Sequence, residues 1–195
     1  MKQATPSSVK YRVLWPVWRA LLVYVLLGYA VYFMARFAPQ APGWATELIE
    51  ALKPWMGALK TAERVSNQAF QVQMLTIYTF FASMPLVVYA GYLHVSDEKI
   101  LVAYVNHNRD RKTSRLALIV SSLFFLMATS GYYLMFTFGD HPPSWRDVMR
   151  FSPGFLSATF SLVLVLMALL GSFGLALLKT ALFTSLINTI PLEKP

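Results

Sequence analysis

Cysteine is absent from this 195-residue chain, and charged residues make up only 13% of it. The first absence excludes disulfide bonds, thiol catalysis, cysteine-ligated zinc and iron–sulfur clusters. The second is about half the charged fraction of an ordinary soluble domain, while hydrophobic residues reach 56%. Since a soluble fold of this size cannot bury so much apolar surface, the composition indicates a membrane protein.

Long runs of the chain contain no ionisable side chain at all. The clearest is residues 151–178, which hold no Asp, Glu, Lys, Arg or His. A hydrocarbon core about 30 Å thick requires about 20 apolar helical residues, and this run exceeds that length. Similar runs predict spans over residues 13–35, 74–93, 116–138 and 154–178 of a single membrane domain, 1–195. The first run contains only Arg19, near its edge, and is interpreted as a retained span rather than a signal peptide.

Residues 44–64 are more polar and follow a helical period. Apolar residues recur at helical spacing, while Glu and Lys occupy the other faces. Pro54 is expected to kink or split the segment. The fold class predicted is therefore all-α integral membrane, with four transmembrane helices and an amphipathic extracytoplasmic segment between the first two. We expect that segment to lie on the membrane surface as one or two helices, where it either only covers the ends of the spans or forms a docking surface for a partner, anchored by Trp44 and Trp55.

No ionisable residue falls at the centre of a predicted span, which argues against proton relays, charged ion pathways and intramembrane haem. His94 and His107 bracket the polar loop and are expected to be solvated, because their spacing matches no zinc signature. His141 and Asp147 on the next loop could form an acid–base pair with Asp140 nearby, but the prolines after His141 favour a turn. We therefore expect no enzyme activity, no cofactor and no metal.

The predicted cytoplasmic loop, residues 94–115, is the most polar stretch. Its candidates for binding anionic lipid or an acidic partner are Arg109, Arg111, Lys112 and Arg115. The alternative is that they only anchor the loop by the positive-inside rule, and that rule places both termini and this loop in the cytoplasm. The net charge of +8 is not taken as a nucleic-acid signal, because the basic residues lie at the ends of apolar runs.

Small residues in the fourth span recur on one face, where they permit close helix packing. We expect this face to seat the second or third span; otherwise it would seat a second protein. The predicted packing residues are Ser157, Ser161, Ala168, Gly171, Ser172, Gly174 and Ala176. Pro85 is expected to kink the second span.

These features favour a non-enzymatic accessory, assembly or scaffold subunit of a larger inner-membrane complex, in contact with lipid and with other membrane subunits. One alternative is a transporter or channel component that acts as an oligomer. Another is an immunity or exclusion protein. The layout is similar to that of immunity proteins against pore-forming bacteriocins and of small membrane proteins of conjugative secretion systems, without a shared motif. The plasma (inner) membrane is the expected location.

Overall fold

A computed structural model of the chain describes residues 15–38, 41–96, 114–137, 142 and 144–187, and every regular element among them is a helix. In chain order these are α1 (Trp15–Phe37), α2 (Gly43–Leu52), α3 (Gly57–Val65), α4 (Ala69–Ser96), α5 (Arg115–Thr137), α6 (Trp145–Arg150) and α7 (Pro153–Ile187).

Four of the described helices, α1, α4, α5 and α7, are long and apolar enough to cross a membrane. They coincide with the four predicted spans, but two of them are longer than expected. Helix α4 begins at Ala69 rather than at residue 74 and continues through Ser96, while α7 runs past Lys179 to Ile187. Ser114 defines the start of α5, because its Oγ accepts the Ala117 amide at 3.1 Å.

The segment before α4 forms two short helices, as the position of Pro54 suggests. Proline lacks an amide hydrogen and its ring clashes with the carbonyl four residues earlier, so α2 ends at Leu52. The Met56 amide still bonds to the Leu52 carbonyl at 2.8 Å, and α3 begins at Gly57. We call residues 43–65, which comprise α2, α3 and the turn between them, the α2–α3 segment.

The chain divides into two compact units, and each long helix contributes residues to both. Unit A comprises Ala20–Leu86 and Ser130–Met167. It contains the α2–α3 segment, and in it α3 contacts α6. Its hydrophobic cluster consists of Ile49, Met56, Ala58, Leu59, Ala62, Val72, Ile77 and Phe151. The α2–α3 segment is thus packed on the N-terminal part of α4 and on Phe151.

Unit B comprises Met1–Arg19, Val87–Thr129 and Ala168–Pro195. Its described part combines the beginning of α1, up to Arg19, and the C-terminal portions of α4 and α7 with most of α5. Small residues at Gly171 and Gly174 bring these helices close together: a Cβ on Gly171 would lie 2.5 Å from Val87 Cγ1, and one on Gly174 would lie 3.0 Å from Leu126 Cδ2.

Candidate interaction surface

The α2–α3 segment displays two large aromatic side chains to the outside. Trp44 is 62% exposed and Trp55 is 74% exposed, whereas Met56, directly after Trp55, is 2% exposed. The alternation arises because the neighbouring Met56 belongs to the hydrophobic cluster of unit A. The two residues predicted as anchors are therefore presented by a segment whose other face is firmly packed.

An ion-pair network joins the two helices of this segment. Lys53 Nζ lies 2.6 Å from Glu50 Oε1 and 2.8 Å from Glu63 Oε2. The Lys53 side chain is only 15% exposed, while those of Glu50 and Glu63 are 60% and 53% exposed. Because Glu50 belongs to α2 and Glu63 to α3, Lys53 fixes the turn that carries Trp55.

The hydrogen bond from Lys53 to Glu50, followed by that to Glu63, raises the pKa of the Lys53 ammonium above its ordinary 10.5, although burial opposes the shift. A folded-state pKa above the unfolded value means that the charged pair stabilises the segment fully below pH 10.5. This stabilisation is lost as the pH rises through the folded-state pKa.

Replacing Lys53 with methionine should therefore destabilise the α2–α3 segment by about 0.5–1 kcal/mol at neutral pH, a modest value because both glutamates are largely exposed. The difference from the wild type should disappear once the pH exceeds the folded-state pKa of Lys53. Amide hydrogen exchange across residues 43–65 measures it.

Lys53→Arg is the control, since arginine keeps its charge throughout this range and its variant should retain the stabilisation. If the stability difference between Lys53→Met and the wild type persists unchanged above the folded-state pKa of Lys53, the ion pair is not the cause of that difference.

Helix α6 carries another exposed aromatic residue, Trp145, at 69%. It is preceded by Ser144, whose amide and hydroxyl both donate to Asp147 Oδ2, at 2.8 and 2.6 Å. The Asp147 carboxylate is 5% exposed and serves to cap this helix. The Ser-x-x-Asp spacing of residues 144–147 is the sequence signal for this cap, and it favours a structural role for Asp147 over an acid–base role. Asp140 and His141, the other members of the predicted acid–base pair, lie outside the described residues.

Of the four basic residues predicted to bind lipid or a partner, Arg115 is exposed at the first position of α5. Arg109, Arg111 and Lys112 lie outside the described residues, as does His107. Among the residues that the structure describes, no three His, Asp or Glu side chains lie close enough to hold a metal ion.

The prediction that His94 is solvated was wrong. His94 is 8% exposed and lies within α4 rather than in the loop. Its Nδ1 lies 2.8 Å from the Ala90 carbonyl oxygen, and its ring centroid is 5.9 Å from that of Phe173. A hydrogen bond within the helix and an aromatic neighbour on α7 explain why the polar ring is tolerated there.

The predicted packing face of α7 divides into two parts. Its later residues, Ala168, Gly171, Ser172, Gly174 and Ala176, are buried, whereas Ser157 and Ser161 are half-buried. Within unit B the buried part receives Val87 of α4 and also Leu126 and Phe125 of α5. The face therefore seats both neighbouring helices in this unit.

Polar side chains tie helices together in pairs, and four of the five bonds join two long helices. In unit A the Tyr78 hydroxyl donates to the Tyr24 carbonyl, and the hydroxyls of Ser83 and Tyr133 lie 3.0 Å apart. Gln73 Nε2 also donates to the Leu59 carbonyl at 3.0 Å.

Two further bonds of this kind lie in unit B. Ser122 Oγ donates to the Gly174 carbonyl at 2.8 Å, and Lys179 Nζ donates to the Val95 carbonyl. None of these five pairs was predicted, because each joins residues far apart in the chain.

Two buried polar atoms of α4 have no hydrogen-bond partner among the described residues, namely Gln71 Nε2 and Thr76 Oγ1. Five residues apart on a helix, they point in directions about 140° apart and do not form a shared site. Pro85 lies inside α4, which continues on both sides of it. Proline leaves the Phe81 carbonyl without its usual amide partner, and the kink there remains a prediction.

The described residues thus define a helical protein with four helices that could cross a membrane. Its α2–α3 segment is packed on one face and exposes two tryptophans on the other. No family model, no curated protein and no solved structure matches the chain.

Proposed function

We propose that this protein is a non-enzymatic accessory or scaffold subunit of a larger inner-membrane complex, with four spans and both termini in the cytoplasm. The orientation is supported by the distribution of Lys and Arg, most of which precede the first predicted span, lie in residues 94–115 or follow the fourth span.

The observation that carries the proposal is the use made of polar groups in the long helices. A transport pathway presents hydroxyl, amide or ionisable groups to the species that moves. Here Tyr78, Ser83 and Ser122 instead bond to neighbouring helices, and no Asp, Glu, Lys, Arg or His lies in the middle of any of the four long helices. Such bonds hold helices in fixed positions, which suits a structural subunit.

The distribution of exposed surface also supports a role in assembly. Only 17% of the apolar window of α1 and 17% of that of α5 is buried, compared with 50% for α4. Leu26 on α1 and Phe124 on α5 are 60% and 67% exposed. Two helices therefore bury few of their apolar residues within the described structure and leave many of them open to lipid or to other membrane helices.

Purification in mild detergent or nanodiscs from the native source tests this proposal when it is combined with photo-cross-linking. Benzoylphenylalanine at Phe124 should cross-link to a defined partner that also co-purifies in constant proportion. The matched control is Phe160, which is 0% exposed and should form only links within the chain. In intact cells, a membrane-impermeant maleimide should label a cysteine introduced at Thr46 and not one introduced at Ser114.

A lone monomer with no cross-linked partner would refute the accessory-subunit proposal. A stable homo-oligomer without other proteins would also refute it and would favour a transporter or channel component. Flux into reconstituted liposomes would then be the next measurement.

A further inference from the structure

Helix α2 carries an apolar stripe that the protein itself leaves uncovered. Trp44, Leu48 and Ala51 are exposed and recur at intervals of four and three residues, so they lie on one face. Trp55 continues the stripe four residues later, because the turn after α2 keeps bonds of helical spacing, from the Lys53 amide to the Ile49 carbonyl at 2.9 Å and from the Met56 amide to the Leu52 carbonyl at 2.8 Å. Eleven residues at 1.5 Å each give the stripe a length of roughly 16 Å, with tryptophan at both ends.

The rest of the helix surface falls into two other sectors. Ala45 and Ile49 form a buried stripe at 1% and 4% exposure, rotated by about 100° from the exposed one. Thr46, Glu47 and Glu50 are exposed on the side opposite both apolar stripes. Helix α2 therefore has one sector packed on its own protein, one that is apolar and open, and one that suits water.

We propose that the stripe formed by Trp44, Leu48, Ala51 and Trp55 lies in the headgroup interface of the lipid bilayer and anchors the α2–α3 segment there. The inference rests on the membrane location in the proposed function. Tryptophan is enriched at this level because its ring is apolar and its indole N–H needs a polar partner. A helix lying in the interface needs the combination seen here, with an apolar sector toward the acyl chains and charges toward water.

Position along the chain supports lipid as the occupant rather than a protein. Phe37, the last residue of α1, is 73% exposed, and α2 begins at Gly43, which a fully extended connection places within about 20 Å of it. Helix α2 is thus held close to the point where α1 ends. The stripe is one side chain wide and is bordered on one side by the packed residues Ala45 and Ile49 and on the other by Glu47. A stable protein interface, in contrast, covers about 800 Å² on each partner.

The absence of cysteine allows a direct test with the full chain. Single cysteines are introduced by Leu48→Cys and Ala51→Cys on the stripe, by Glu47→Cys on the charged sector and by Leu26→Cys on α1. Each is spin-labelled, and the protein alone is reconstituted into liposomes of phosphatidylcholine and phosphatidylglycerol. Collision with oxygen, which partitions into lipid, is compared with collision with a water-soluble nickel chelate.

We expect the ratio of oxygen to nickel accessibility at positions 48 and 51 to be several-fold higher than at position 47 and to stay below that at position 26, which lies at the middle of α1. High nickel accessibility at positions 48 and 51 would overturn the inference and leave the stripe free for a protein partner. Protection from both reagents would also overturn it, because a second copy would then cover the stripe. If position 26 also reads as aqueous, the membrane location itself fails, which separates that failure from the failure of this inference.

Discussion

Leu59→Ala is expected to destabilise the α2–α3 segment by about 2–5 kcal/mol, the range for truncating a fully buried leucine. Leu59 has 0% exposure and belongs to the cluster that joins α3 to Val72 and Ile77 of α4 and to Phe151. Deleting its branched end leaves a cavity between helices that are already fixed by other contacts, so little relaxation can fill it. Hydrogen exchange of residues 43–65 in detergent should accelerate accordingly.

Leu48→Ala is the matched control on the neighbouring helix. Leu48 is 38% exposed and lies on the open stripe, so its truncation in detergent should change stability by about 0.5 kcal/mol or less. If both variants exchange at the wild-type rate, α3 is not packed on α4 as described. If both are equally destabilised, the division of α2 and α3 into packed and open faces is wrong.

The long helices could be predicted from the sequence because lipid imposes a simple requirement. A run of apolar residues without charge, as in 151–178, satisfies it by composition alone, so no knowledge of neighbours is needed. The division of residues 43–65 into two helices could also be predicted from the sequence, because Pro54 acts locally through its missing amide hydrogen and its ring.

Helix ends are harder to predict, because a polar residue in the sequence need not mark the edge of a span. Gln71 and Gln73 led to a start at residue 74, yet both are buried within α4 at 4% and 5% exposure. The side-chain amide of Gln73 donates a hydrogen bond to the Leu59 carbonyl, which lies on another helix. His94 was misplaced for the same reason. A polar side chain can stay inside when tertiary structure supplies its partner, and that partner is invisible to a local reading of the sequence.

The surface properties of α2 show the same limit. The sequence indicated an apolar period with Trp44 and Trp55 as candidate anchors. It could not separate the buried stripe of Ala45 and Ile49 from the open stripe of Trp44 and Leu48, because both are apolar and adjacent. Only the packing on α4 distinguishes them, and the proposal of a lipid contact depends on that distinction.

Gly171→Leu is expected to lower stability by about 1–3 kcal/mol, the usual effect of overpacking a filled interior. A Cβ on Gly171 would meet three atoms of Val87, with Cγ1 at 2.5 Å and Cγ2 and Cβ at 3.3 and 3.4 Å. Valine is branched at Cβ and cannot rotate all of these atoms away, so α4 and α7 must separate locally. For a chain of this size the melting temperature in detergent should fall by about 2–12 °C.

Gly131→Leu separates this effect from the general consequence of removing a helical glycine. Apart from the adjoining backbone of α5 itself, no described atom lies within 4 Å of a Cβ at Gly131. Leucine should therefore be accepted there and should even stabilise α5 by up to about 1 kcal/mol through its better helix propensity. Adding Val87→Ala to Gly171→Leu should restore part of the lost stability, because it removes Cγ1 and Cγ2, the two atoms that lie closest to the new side chain. If Gly171→Leu melts like the wild type, α4 and α7 do not approach closely at this point, and the small residues of α7 lose their role in holding the long helices together. If the double variant is no better than Gly171→Leu alone, the loss arises elsewhere than at the contact with Val87.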